Sequence, residues 1–252
     1  MGKFIEERVR NYFSNRRSVR KFSDEDVDPK LLDDILLQAS KAPTCGNMQL
    51  YSVVVTRDAE RRAGLSELHF SQPASKAPVL LTVCADFDRF TRWCELSDAD
   101  AAYDNFLSLT SAFADAVILA QQIVTIAELH GLGTCWLGTA IYNAPAISEY
   151  LELPRLTMPV ACLAIGWPAE EGTPTERLGL KAFVHEERYR ADSDAEILDL
   201  YKVKEDYPAN RGFVAENGKR NLAQVFAEVR YPRAMNEEFS ARLLEWLQGK
   251  RR

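Results

Sequence analysis

The sequence predicts an α+β chain, rich in helix and built on one small sheet. Three observations carry that reading. Three short apolar runs with β-branched residues read as strands: LYSVVVT at 50–56, PVLLTVCA at 78–85 and MPVACLAIG at 158–166. Helical patterns separate them at uneven lengths, which argues against a doubly wound sheet. Residues 191–252 carry amphipathic helical patterns and no convincing strand.

Each element has its own signals. Phe4, Ile5, Val9, Tyr12 and Phe13 recur at helical spacing over 3–15. RRSVRKF, 16–22, is too short and too basic to be core. Asp28-Pro29 reads as an N-cap and first helical position, followed by the stripe Leu31, Leu32, Ile35, Leu36 and Ala39. Pro43 ends that pattern, and the turn-rich APTCGNMQ leads into the first strand. Residues 58–68 form a short helix. The runs at 50–56, 78–85 and 158–166 lack polar alternation, so they read as covered on both faces.

Residues 103–130 are the longest helical pattern. Phe106, Phe113, Val117, Ala120, Val124 and Ala127 form one stripe, which Leu107, Ile118, Leu119 and Ile123 broaden. A helix apolar on nearly all sides is buried in a core or at a subunit interface. Gly131 stands where a C′ glycine ends a helix. Residues 133–138 then read as a short strand and 144–151 as a brief helix. The tail holds two or three amphipathic helices, one with Leu198, Leu200 and Tyr201, the last with Phe239, Leu243, Leu244, Trp246 and Leu247.

Composition narrows the function classes. A chain of 252 residues fits one domain, or one domain with an appendage. Hydrophobic residues at 46% and charged residues at 27% are ordinary for a globular chain. Uninterrupted apolar stretches are short, so no membrane span is expected. The charged start MGKFIEERVR has no apolar signal region, and Glu6 disfavours myristoylation of Gly2. Net charge is −6, from 31 basic and 37 acidic residues, which argues against nucleic acid as a partner. Five cysteines, none in a C-x-x-C pair, fit a reducing cytoplasm. His69, His130 and His185 are scattered without metal-ligand spacing, so no metal site is expected.

Four segments hold residues with chemical potential. Arg16-Arg17-Ser18-Val19-Arg20-Lys21 concentrates four cations in a chain of net −6. If it is extended, Arg16, Ser18 and Arg20 share a face, which suits a phosphate or delocalised anion. The bland alternative is a solvated basic turn. Pro43 to Gln49 would let backbone N–H groups approach a planar ligand, or is a plain loop. Cys45 has no histidine near it in sequence, which disfavours a nucleophile. GLGTCWLGT, 131–139, follows a helix and precedes no long one, so it is not a dinucleotide fingerprint. Arg177 is a lone arginine in the loop PTERLGL.

Taken in order, these segments resemble the flavin-dependent nitroreductase family. RRSVRKF is similar to its R-[RH]-S-x-[RK]-x-[FY] motif, APTCGNMQ to its A-P-[ST]-x-x-N-x-Q loop, and GLGTCWLG to its glycine-bounded run before the flavin. ERLGLKAFVHEERY looks like its late R-L-P-L…V-H-x-x-x-Y segment. The resemblance spans about residues 4–190. Two departures stand out: Thr175 where many members have Lys, and Gly179 where Pro is usual.

The resemblance implies a nitroreductase-like α+β fold, with a small, mostly antiparallel sheet wrapped by helices. Residues 1–190 would be the FMN-binding domain. Residues 191–252 would be a helical extension like that of the larger, oxygen-insensitive branch, packing on the same domain or its dimer mate. It implies a homodimer with FMN at the interface. Arg16, Arg17, Ser18 and Arg20 would hold the flavin, Arg16 and Arg177 the phosphate, and Arg20 the N1 and C2-carbonyl edge. Thr44, Cys45 and Asn47 would come from the second subunit. Gln72 would address the pyrimidine edge, Trp136 and Leu137 would lie against the ring, and the backbones of Gly138 and Thr139 would meet N5 and O4. The implied activity is two-electron reduction of nitroaromatics, quinones or similar planar acceptors by NADPH or NADH, in a ping-pong scheme with no side-chain acid or base. Arg220, Arg230 and Arg233 are candidates for donor selection. The alternatives are a non-enzymatic flavin store or sensor, a flavin reductase serving a partner, and a basic-patch interaction protein without flavin.

Overall fold

The computed structural model describes residues 2–250, and side chains from residue 6 to residue 249. The side chains of Phe4 and Ile5 lie outside that range. Elements run α1 (Gly2–Asn15), α2 (Pro29–Ala39), β1 (Tyr51–Thr56), α3 (Ala59–Leu68), β2 (Val79–Asp86), α4 (Asp88–Leu96), α5 (Phe106–Leu129), β3 (Gly133–Leu137), α6 (Thr139–Tyr142), α7 (Ala144–Tyr150), β4 (Thr157–Gly166), α8 (Asp194–Glu205), α9 (Pro208–Glu216), α10 (Leu222–Gln224) and α11 (Arg233–Lys250). A π-helical turn, Val225–Arg230, follows α10. The chain groups into two compact units. One is Arg17–Thr173 with the chain from Ser240 onward, and the other is the chain up to Arg16 with Pro174–Phe239.

The larger unit holds the sheet. Its order is β1-β2-β4-β3 and every pairing is antiparallel. β2 and β4 are central and buried along their whole length, as apolar runs without alternation require. β1 differs from expectation: as an edge strand it leaves Val55 40% exposed. Helix starts follow their capping signals. Asp28 accepts from Lys30 N with Pro29 in the first turn, Asp58 caps α3 and Asn105 caps α5.

α5 packs on the sheet through the later part of the expected stripe, while large residues of its first turn stay exposed. Ala112, Asp115, Ala116, Leu119, Ala120, Ile123, Val124 and Ala127 are buried, while Phe106 is 69% and Leu107 75% exposed. Alanines at spacing four, Ala112, Ala116 and Ala120, share the buried face with Leu119, Ile123 and Val124 and pack against β2. By length and composition α5 could cross a membrane, contrary to the expectation from short apolar stretches. Its inward face is nonetheless packed on the sheet and carries the buried carboxylate of Asp115. At its end Gly131, at φ +86, allows Leu132 N to reach Ala127 O and Gly131 N to reach Glu128 O.

The smaller unit departs from the two or three helices expected of the tail: α8, α9, α10, the π turn and the first part of α11 follow one another. α8 begins with a capping box in which Ser193 and Glu196 satisfy each other's backbone N–H groups. Ser193 and Arg190 together hold the Glu196 carboxyl down at about 2. Both carboxylate oxygens of Glu205 accept from Leu222 N, anchoring α10.

Candidate flavin site

The basic segment runs extended along the margin of the sheet. Val19 N donates to Thr134 O at 2.9 Å, and Val19 is buried while Arg20 is exposed. Gly133 permits that approach, because a Cβ there would fall 2.9 Å from Val19 Cβ and Cγ1. Further on, Phe22 bridges Pro168, Ser23 N donates to Trp167 O and Ala169 N to Lys21 O. The backbone N–H groups of Arg20 and Lys21 converge on Glu170 Oε1, and Arg17 Nε donates to Glu171 O. Thus Ser18 and Arg20 flank an inward Val19, as period two requires.

Arg20, Lys21 and Phe22 line one wall of a cavity of about 280 Å³, and Ser71, Pro73 and Lys76 line the other. Gln72 lies in the chain between the lining residues Ser71 and Pro73. Its Nε2 donates to His69 O at 3.1 Å and to Thr139 Oγ1 at 3.2 Å. Thr139 follows Gly138, which is exposed and has nothing within 4 Å of where a Cβ would stand. Three segments far apart in sequence, 17–22, 69–76 and 136–139, are therefore brought together. Trp136 is half-buried, but Leu137 as a whole is only 1% exposed and packs within the core.

His69 is the residue that sequence reasoning passed over. It is fully buried, its Nδ1 lies 2.7 Å from Thr139 Oγ1, and Nε2 has no hydrogen-bond partner among the described residues. Burial pushes its pKa down to about 4, so it stays neutral near pH 7. The only sequence trace was its place three residues before Gln72. Its partner at 139 is brought near by tertiary folding alone.

The 43–49 loop is a 3-10 turn, Cys45–Asn47, with Gly46, Asn47 and Gln49 at positive φ. Thr44 is half-buried, while Cys45 and Asn47 are exposed. Asp115 clasps both ends: its Oδ1 accepts from Cys45 N at 2.8 Å and its Oδ2 from Leu50 N at 3.2 Å. The signal for Asp115 was legible, an acidic residue inside an otherwise apolar helix. Among the cysteines, Cys84, Cys135 and Cys162 are buried, and burial pushes the Cys162 thiol up to about 12.

Arg16 and Arg177 belong to the smaller unit. Arg16 is half-buried just after α1. Arg177 is exposed and folds back on its own loop, donating to Thr175 Oγ1, Thr175 O and Glu176 O. The loop is tied down by Glu176, which accepts from Asn210 at 2.9 Å and Lys204 at 3.4 Å. Desolvation would raise the Glu176 pKa, but these hydrogen bonds and the Lys204 charge hold it below the usual value. Gly179 has φ −69 and ψ 167, with nothing within 4 Å of a Cβ. Of the donor-selection candidates, Arg230 lies over the rings of Phe213 and Phe226, Arg233 pairs with Glu237, and Arg220 N donates to Gln224 Oε1.

The residues fit FMN. The larger unit offers cations, amide and hydroxyl donors and an open glycine backbone, a set suited to a planar, polar-edged ring with an anionic tail.

Comparison with known proteins agrees. The nitroreductase family model matches residues 13–167. The solved structure of a Bacteroides fragilis NCTC 9343 protein superposes with a TM-score of 0.93 at 44% identity, over 96% of this chain and 98% of that one. An FMN reductase [NAD(P)H] of Bacillus subtilis (strain 168) is 32% identical over 226 residues, 87% of this chain and 91% of that protein. A Cr(VI) reductase of Pseudomonas sp. (strain G-1) is 28% identical over 228 residues, 89% of this chain and 94% of that protein. With the strand order, the clustered motifs and these matches together, the chain belongs to the nitroreductase family.

Proposed function

We propose that the protein is an FMN-dependent NAD(P)H oxidoreductase that reduces small planar acceptors, nitroaromatics or quinones, by two electrons. The observation that carries this reading is the cavity lined by Arg20, Lys21, Phe22, Ser71, Pro73 and Lys76, with Gln72, next in the chain to two of these, hydrogen-bonded to the Thr139 hydroxyl. The names of two relatives, FMN reductase [NAD(P)H] and Cr(VI) reductase, support it.

When bound, FMN supplies the centre that accepts hydride from the nicotinamide and passes electrons on. The chain's own residues bind and orient. Arg16 and Arg177 would hold the phosphate, and Arg17 and Ser18 would also contribute to flavin binding. Arg20 places a guanidinium at the N1 and C2-carbonyl edge, where negative charge gathers on reduction. Gln72 has both donors of its amide engaged by His69 O and Thr139, which leaves Oε1 as an acceptor for a ring N–H. The backbone N–H groups of Gly138 and Thr139 would serve the N5 and O4 edge, with Trp136 against the ring. Thr44, Cys45 and Asn47, on an exposed loop, serve the site of a second copy. Donor and acceptor use the pocket in turn, which a site without a dedicated acid or base permits. We assign residues 1–190 to the flavin-binding domain and 191–252 to the extension, and cysteines that form no disulfide among the described residues suit a cytoplasmic setting.

The test is anaerobic. The purified protein, loaded with FMN, is mixed with NADPH or NADH and then with a nitroaromatic or a quinone. Bleaching of the flavin band by a nicotinamide, followed by recovery on adding acceptor, is the expected result. Flavin that binds but is not bleached identifies a store or sensor, and protein that stays colourless removes the flavin reading.

A further inference from the structure

Thr139 is bonded by two neighbours, and their chemistry decides where its proton goes. Gln72 Nε2 faces both His69 O and Thr139 Oγ1, at 3.1 and 3.2 Å. A backbone carbonyl only accepts, so the amide nitrogen must be the atom turned toward this pair. Gln72 is thus a donor to Thr139. The second neighbour is His69 Nδ1, 2.7 Å from the same oxygen. Its other nitrogen, Nε2, is buried without a hydrogen-bond partner among the described residues. A proton on Nε2 would be an orphaned buried donor, which is rarer in folded proteins than an orphaned acceptor. The proton therefore sits on Nδ1, and His69 also donates to Thr139 Oγ1. Two donors fill both lone pairs of the hydroxyl, and the Thr139 O–H proton has no acceptor among the described residues. Thr139 is half-buried, next to an exposed glycine with open space at its Cβ position.

We infer that the Thr139 hydroxyl is a ligand-facing hydrogen-bond donor, aimed at a carbonyl oxygen on the edge of the bound flavin, and that His69 is the positioning residue that aims it. The inference rests on the flavin reading of this site. Positive φ at Phe70 and Ser71, 58° and 50°, bends the chain sharply between His69 and Gln72 and lets both side chains reach one hydroxyl. The arrangement adds a side-chain donor to the backbone donors of residues 138 and 139.

The test is an FMN titration of the full-length chain and its Thr139→Val, Thr139→Ser, His69→Phe and doubly substituted forms, with long-range proton–nitrogen NMR of the histidines in the flavin-loaded parent. Thr139→Val, which keeps shape and loses the donor, weakens FMN binding by about threefold to tenfold, the span of one ordinary hydrogen bond, and shifts the bound flavin's absorption bands. Thr139→Ser restores affinity to within about twofold of the parent. The double variant is no weaker than Thr139→Val, because His69 acts only through the hydroxyl. NMR finds the proton of His69 on Nδ1. A Thr139→Val protein with parental affinity and spectrum, a double variant whose losses multiply, or a proton on Nε2 each overturns the inference. If His69→Phe does not fold, the Thr139 pair and the NMR of the parent still decide. A parent that takes up no FMN overturns the flavin reading together with this inference, whereas a parent that binds FMN with unaffected variants overturns the inference alone.

Discussion

Gly179 stands where the family usually has proline, and its backbone already has proline geometry: φ is −69, its N–H makes no backbone hydrogen bond among the described residues, and the Cβ direction is open. Gly179→Pro should therefore fit without strain and stabilise by about 0.4–1 kcal/mol through the unfolded chain, seen as a raised urea midpoint with unchanged m-value. A lower midpoint would show that the loop needs freedom there. Arg16 and Arg177 carry the phosphate reading. Replacing either by alanine should weaken FMN binding roughly tenfold to a hundredfold, the worth of a charge-assisted contact of about 1.5–3 kcal/mol. Arg177 must first leave Thr175 and Glu176, so its effect should be the smaller. Retention of flavin through dialysis by both variants would refute the placement. His69 gives a pH dependence with a definite sign. Its folded pKa of about 4 lies below the ordinary 6.5, so between those values the unfolded chain binds a proton that the folded chain refuses. Its contribution is complete above pH 6.5 and lost as pH falls toward 4, up to about 3 kcal/mol. Unfolding free energies at pH 7 and 4.5 for parent and His69→Asn test this, and an equal fall in both removes the assignment.

At the scale of elements, α5 is the organiser. Its alanine face sits on the sheet, its C-terminal glycine starts β3, and its single buried carboxylate ties down the 43–49 loop. Asp115→Ala orphans two backbone N–H groups, that of Leu50 in the core, and should cost roughly 2–4 kcal/mol. Asp115→Asn keeps one acceptor and should cost less. Chemical denaturation measures the loss, and hydrogen exchange at Cys45 and Leu50 locates it. Unchanged exchange at both amides in Asp115→Ala would mean the clasp does not hold the loop.

At the scale of the whole molecule, the apolar surface calls for a second copy. In the larger unit Trp93 is 62%, Leu96 72%, Phe106 69% and Leu107 75% exposed, apolar surface that a dimer interface could cover. The smaller unit leaves Phe183, Tyr189 and Leu198 uncovered as well. A homodimer should result, of the obligate kind that buries more than about 2,000 Å². Light scattering at micromolar concentration should give twice the chain mass with flavin bound, and a monomer that retains flavin would refute it.

The sequence by itself determined the fold class, the strand positions and the starts of α1, α2, α3, α5 and α7 to within a few residues, because apolar periodicity and caps are local: Asp28 and Gly131 act within a few residues of where they stand, whereas α4 and α6 escaped it. It also determined the family, through motifs spread along the chain. It read α5 as apolar on nearly all sides, and only the structure separated the buried Leu119, Ala120, Ile123, Val124 and Ala127 from the exposed Phe106, Leu107 and Ile118. It left Leu137 as a ring contact when the core claims its side chain. The number of helices in the tail escaped it too, since α10 and the π turn are too short for a period to register. Only the tertiary structure decided that His69, Gln72 and Thr139 share one hydroxyl, and that Asp115 holds residues 45 and 50 together. Those contacts join residues 65 to 70 positions apart, and their geometry exists only once the sheet and α5 have assembled.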